Sequence, residues 1–210
     1  MTRISAILAA AISVVFIAAM ALWPRGGSDD IFADCRSGAV GGDLGGPFTL
    51  VDETGKTVTD KDVITGPTLL YFGYTFCPDV CPLDNARNAD AITLLEERGV
   101  EVKPVFISID PDRDTPELLD DFTANLHPRM IGLTGTPEQV KAASTAYRTY
   151  YAKAEGDDPD YYLIDHSTFS YLVFPDHGFV EFFRRDVTPE DMADRLQCFV
   201  EADQAAKGAE

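Results

Sequence analysis

Two cysteines four positions apart, where an apolar strand meets the start of a helix, constrain this chain more than any other part of its sequence. Thr68-Leu69-Leu70-Tyr71-Phe72-Gly73-Tyr74 is a β-prone run that reads as a central strand, and Cys77-Pro78-Asp79-Val80-Cys81-Pro82 follows almost at once. Prolines are tolerated in such a turn because the first N–H groups of a helix lack intrahelical partners. The helix is predicted from Asp79 to Arg98, with Leu83, Ala86, Ala91, Leu94 and Leu95 near helical spacing and Gly99 as its stop. Residues four apart share one side of a helix. The helix N-terminus favours the thiolate, the form of cysteine that binds metals and attacks disulfides.

The rest of the chain alternates in the same manner. Val102–Ile109 is the next buried strand, Thr115 and Pro116 open a helix reaching Leu126, and Met130–Leu133 is a short strand. Thr136 caps a helix expected from Pro137 to Tyr150, and residues 152–165, rich in Asp and Gly, read as a mobile acidic loop. Strands at 168–174 and 178–184 flank a Pro175-Asp176-His177-Gly178 turn, and a last helix spans 188–202. Upstream, Pro47–Val51 and the turn Asp52–Lys56 suggest an opening β-hairpin. This α/β order resembles a thioredoxin-like fold: parallel strands joined by crossovers, then an antiparallel hairpin and a closing helix.

Residues 4–23 form an uncharged run of 20 residues, the length a helix needs to cross a hydrocarbon core of about 30 Å. They read as an uncleaved N-terminal transmembrane helix. Residues 1–3 are then its cytoplasmic start, 24–44 a linker, 45–203 the working domain and 204–210 a tail. The alternatives are a signal peptide cleaved at Ala19-Met20-Ala21 and a buried core helix. An anchor or a signal takes the domain out of the cytoplasm. With 17 basic and 35 acidic side chains the formal charge is −18, which excludes nucleic-acid binding as the main activity and favours cationic partner surfaces.

A pair of thiolates makes a soft site suited to Cu(I), Zn(II) or reversible disulfide chemistry. Structural zinc sites take four protein ligands, and only His127, His166 and His177 are available. A Cys₂His set is easier to build and suits copper. His166, in Asp165-His166-Ser167-Thr168, is the third ligand this reading selects, because that position of a thioredoxin-like sheet lies beside the start of the first helix. His127 and His177 are expected to be solvent-exposed spectators. Asp110, Asp112 and Asp114 are read as helix caps and surface charge, with partner docking or support of the site as the alternative. Tyr147, Tyr150, Tyr151, Phe179, Phe182 and Phe183 are read as packing residues.

The decapeptide G-Y-T-F-C-P-D-V-C-P, with D-H-S-T some 85 residues later and I-D-P-D-R-D-T-P at Ile109–Pro116, resembles the Sco/SenC family of copper-binding proteins over roughly residues 45–200. The resemblance implies that Cys77, Cys81 and His166 bind one copper ion, Cu(I) or Cu(II). It also implies a copper chaperone that delivers the ion to, or reduces the thiols of, the CuA site in subunit II of cytochrome c oxidase. Further expected partners are periplasmic copper chaperones and thiol reductants, and the expected location is a bacterial inner membrane with the domain facing the periplasm. A thiol–disulfide oxidoreductase or peroxidase, with Cys77 and Cys81 as redox-active residues, and a copper or redox sensor are the alternatives on the same fold. Cys35 and Cys198 stand apart from the motif. An even cysteine count permits a structural disulfide between them, with free buried thiols as the alternative.

Overall fold

The computed structural model describes residues 30–36, 38, 44–154 and 161–208, so the run expected to form a transmembrane helix lies outside the described residues. Among those described, no helix is long and apolar enough to cross a membrane.

The opening hairpin pairs β1 (Thr49–Asp52) with β2 (Thr57–Thr59). Its turn is organised by Asp52, whose Oδ1 accepts hydrogen bonds from the Thr54 and Lys56 backbone N–H groups, and by Gly55, which adopts φ +80°. After the single-turn α1 (Asp60–Val63) come β3 (Thr68–Gly73), α2 (Val80–Glu97), β4 (Lys103–Ser108), α3 (Pro116–Leu126), β5 (Ile131–Thr134) and α4 (Pro137–Ala146). Thr115 and Thr136 cap α3 and α4 with their side chains, each followed by proline at the first helical position. The chain then forms β6 (Tyr151–Lys153), β7 (Ile164–His166), β8 (Ser170–Phe174), β9 (Gly178–Phe183) and α5 (Pro189–Gly208).

Seven strands form one sheet in the order β2-β1-β5-β4-β3-β8-β9, while β6 and β7 make a separate two-stranded sheet. β3, β4 and β5 are parallel to one another, and β8 lies antiparallel to β3. Every residue of β3 is buried, as befits a central strand covered on both faces. One apolar cluster gathers Leu50, Phe72, Phe106, Leu133 and Tyr147 around the cysteine loop. The other packs Leu69, Ile92, Leu172, Met192 and Phe199 between the sheet, α2 and α5.

Several sequence expectations need correction. Where α4 was expected to reach Tyr150, it stops at Ala146, because Arg148 enters the left-handed region (φ +48°) and turns the chain into β6. Part of the segment expected to be a loop is thus the β6–β7 hairpin, in which Tyr151 pairs with His166 and Lys153 with Ile164. The closing helix runs to Gly208 rather than Ala202. Leu83 faces solvent, and the first half of α2 buries Asp84, Asn85, Arg87 and Asn88 instead.

His127 is not the exposed spectator expected, whereas His177 is exposed as expected. His127 is 4% exposed, accepts from the Arg129 N–H at Nδ1 (3.2 Å) and faces Glu96 through Nε2 (3.4 Å). His177, at its exposed turn, contacts Asp203 at 3.0 Å and packs edge-on against Phe32. Phe32 and Cys35, from the segment expected to be a linker, are buried in the body, and the structure pairs Cys35 with Cys198 of α5 at a Cα separation of 5.6 Å.

Candidate metal centre

The site begins at the end of β3. Gly73 is required there by close approach: a Cβ at this position would lie 3.0 Å from the Cys81 Sγ and 2.9 Å from the Tyr71 ring. The following loop turns Cys77 back over the first turn of α2. Asp79, the residue preceding that helix, makes no side-chain cap; instead the Cys81 N–H donates to the Cys77 Sγ (3.4 Å). Cys77 therefore occupies the place of a capping group, where the helix dipole favours a negative charge.

His166 arrives from the other side, on β7. Its Nε2 lies 3.2 Å from the Cys81 Sγ, and its Nδ1 lies 2.8 Å from the Ser167 carbonyl oxygen. A carbonyl can only accept, so Nδ1 carries the proton and Nε2 presents its lone pair to the cysteines. The ring is held edge-on by Tyr71 and Tyr74 (centroids 6.3 and 5.9 Å away), and the Tyr74 hydroxyl accepts from the Ile164 N–H (3.1 Å).

The two thiols are unequal. Cys77 is pulled well below the ordinary thiol range, chiefly because Cys81 donates to it; burial opposes this, and the neighbouring His166 and the Asp79 and Cys81 backbone N–H groups lower it further. Cys81 is pushed up, since it keeps the shared proton and is fully buried. The pair thus holds one thiolate, at Cys77. Behind it, the Tyr71 hydroxyl donates to the buried Asp84 carboxylate (3.0 Å). Arg87 ties α2 to β8 and the end of β9 through the Ser170 hydroxyl (3.0 Å) and the Arg184 carbonyl (2.8 Å).

The donor atoms of Cys77, Cys81 and His166 lie within 4.8 Å of one another. Two sulfurs and one imidazole make a soft three-donor set, with no fourth donor joining the cluster among the described residues, which fits copper. His127 and His177 are held elsewhere by Glu96 and Asp203. Phe76, Tyr161 and Leu163 are exposed, and Phe76 meets Tyr161 edge-on at 5.5 Å.

The aspartates of the 110–114 segment prove more important than their sequence reading. Asp112 is on the surface, paired with Lys153 at 3.0 Å, but Asp110 and Asp114 are buried. Asp114 accepts from the Ser108 hydroxyl (2.6 Å), the Thr75 hydroxyl (2.6 Å) and the Thr75 N–H (3.0 Å), fixing the loop two residues before Cys77. The motif that contains it was visible in the sequence; its burial was not, because the partners lie far away in the chain.

Comparison with known proteins agrees with this geometry. Residues 37–201 match the SCO1/SenC family. The protein SenC of Rhodobacter capsulatus is 54% identical over 204 residues, covering 94% of this chain and 91% of that protein. The crystal structure of Arabidopsis thaliana ScoI with copper bound superposes with a TM-score of 0.70 at 42% identity, covering 77% of this chain and 99% of that one. BsSco, a member of the Sco family of cytochrome c oxidase assembly proteins in which a disulfide switch has been identified, superposes with a TM-score of 0.59 at 25% identity, covering 73% and 91%. On sequence across nearly its whole length, and on a fold shared with copper-bound relatives, the chain belongs to the SCO1/SenC family.

Proposed function

We propose that this protein takes up one copper ion through Cys77, Cys81 and His166. In this reading it serves cytochrome c oxidase assembly by passing the ion to the CuA site of subunit II or by reducing a disulfide of that site to its thiols. The observation that carries the reading is the convergence of these three donors, two from the β3–α2 connection and the start of α2 and one from β7, to within 4.8 Å, with His166 offering Nε2. The copper-bound relative and the description of BsSco as an oxidase assembly protein support it. Three donors at the mouth of a loop suit transfer, because a partner thiolate can replace them one at a time.

The lowered Cys77 thiol favours a second use of the same residues. Its thiolate attacks one sulfur of a partner disulfide and expels the other as a thiolate. Cys81 then attacks the Cys77 sulfur, releasing the second partner thiol, and its proton passes to the departing sulfur. The partner is reduced by two electrons and Cys77–Cys81 is oxidised. We assign the protein to a bacterial inner membrane, facing the periplasm, on the basis of the uncharged run at 4–23 and the Cys35–Cys198 pairing, a bond that oxidising compartments sustain. Recovery of full-length protein, but not of a variant lacking residues 4–23, in the membrane fraction tests that placement.

The decisive experiment is anaerobic Cu(I) titration against a chromophoric chelator, followed by mixing with a reduced CuA domain. One ion per chain is expected, with affinity lost in Cys77→Ala, Cys81→Ala and His166→Ala and the metal recovered on the acceptor. Undiminished affinity in His166→Ala overturns the three-donor site, and absence of transfer overturns delivery.

A further inference from the structure

The two halves of the site stand on different scaffolds: the cysteines on the β3–α2 connection of the main sheet, His166 on the separate β6–β7 hairpin. One short segment touches both. On the cysteine side, Asp114 holds Thr75, and the Arg113 guanidinium lies 5.0 Å from the centre of the Phe76 ring, one residue before Cys77. On the histidine side, the same guanidinium stacks 3.7 Å from the centre of the Tyr162 ring and donates through Nη1 to the Tyr162 carbonyl (3.0 Å). The buried Asp110 closes the arrangement, pairing with the Arg113 Nε and accepting from the Tyr162 hydroxyl at 2.6 Å. Lys153 covers the Tyr162 ring at 4.1 Å while pairing with Asp112.

Tyr162, four residues before His166, is therefore held by its ring, its hydroxyl and its carbonyl. A planar guanidinium can stack, fork to a carboxylate and donate to a carbonyl at once, which an ammonium cannot. The hydroxyl–Asp110 bond fixes the direction of the ring.

We propose that Arg113, braced by Asp110 and clasping Tyr162, is the positioning residue that sets His166 against Cys77 and Cys81. Releasing this clasp frees the imidazole from the thiolates while leaving the cysteine pair in place. The inference rests on the three-donor copper site proposed above.

Cu(I) affinity measured by chelator competition in a double-mutant cycle tests it. Removing an outer support of a metal ligand weakens binding by roughly 10-fold or more. Arg113→Gln is expected to show such a loss in the parent and no further loss in a His166→Ala background, because the arginine acts through the histidine. An equal loss in both backgrounds, or no loss in either, overturns the proposal. Should Arg113→Gln fail to fold, Arg113→Lys and Tyr162→Phe are read in the same cycle, together with amide exchange at Ile164, expected to quicken, and at Leu70, expected to hold; unchanged exchange at Ile164 refutes the clasp. If His166→Ala alone binds copper like the parent, the three-donor reading falls first; if it binds weakly while the Arg113 variants bind normally, only the clasp falls.

Discussion

Gly73→Ala is the most economical probe of how tightly the cysteine site is built. The added Cβ would lie 2.9 Å from the Tyr71 ring, 3.0 Å from the Cys81 Sγ and 3.0 Å from the Phe106 ring. All three groups are buried in the same cluster, so none can retreat into solvent. Gly73 does not have positive φ, so the cost is one of volume rather than backbone conformation. Inserting a methyl into a close-packed core costs about 1–3 kcal/mol. Replacing glycine by alanine recovers about 0.4–1 kcal/mol by restricting the unfolded chain. A net loss of about 1–2 kcal/mol is expected.

For a domain of this size that loss lowers the melting midpoint by about 3–6 °C. With a urea slope near 2 kcal/mol per molar, it lowers the midpoint of urea unfolding by about 0.5–1 M. Because Cys81 must shift to make room, Cu(I) affinity is expected to fall as well. Gly66→Ala, where a Cβ meets nothing within 4 Å, serves as the control and should bind copper like the parent and gain about 0.4–1 kcal/mol in stability. A Gly73→Ala protein that unfolds at the parental urea concentration and binds copper equally well refutes the close packing of the Cys81 sulfur against this strand.

Two further outcomes follow from residues outside the site. The Cys35–Cys198 pairing closes a sequence separation of 163, which in the chain-entropy model contributes about 5 kcal/mol, so Cys35→Ser/Cys198→Ser should melt about 10–20 °C lower under non-reducing conditions; an unchanged midpoint shows that the bond does not form. Burial, outweighing the opposing pull of Glu96, holds the His127 pKa below the ordinary value of about 6.5. The unfolded chain then binds the proton more readily than the folded one, so the stability owed to neutral His127 is complete above about pH 6.5 and is lost as pH falls further. The melting advantage of the parent over His127→Asn should accordingly shrink between pH 7.5 and pH 5, and a constant difference removes His127 as the source.

The sequence makes some of this architecture plain because the signals are local. Thr115 and Thr136, each followed by proline, mark the starts of α3 and α4, and the apolar run of β3 leads straight into the cysteines. His166 could be selected because the α/β order carries it to the mouth of the cysteine loop. What escaped was polar burial. Asp114 is buried because Thr75, 39 residues away, donates to it, and Asp110 because Tyr162, 52 residues away, does. No periodicity announces such partners, so aspartates in a charged stretch look like surface. The inner face of α2 misleads for the same reason: Asp84, Arg87 and Asn88 stand where apolar side chains are expected, satisfied by Tyr71, Arg184 and Ser170. His127 was misjudged beside Pro128 because Glu96, which it faces, belongs to a different helix.

The dispersal of the site along the chain also fixes an order of events in the life of the molecule. Residues 77–81, 110–114 and 162–166 come from three separate connections, and they meet only once the central parallel strands have paired. A chain not yet folded carries both thiols within one short peptide but has no imidazole beside them. Any ion caught at that stage is held by sulfur alone and is open to exchange with every other thiol nearby. Completion of the fold turns that loose dithiol into a defined three-donor set. The complete three-donor set thus exists only in the folded chain, and an unfolded copy offers no more than the two sulfurs.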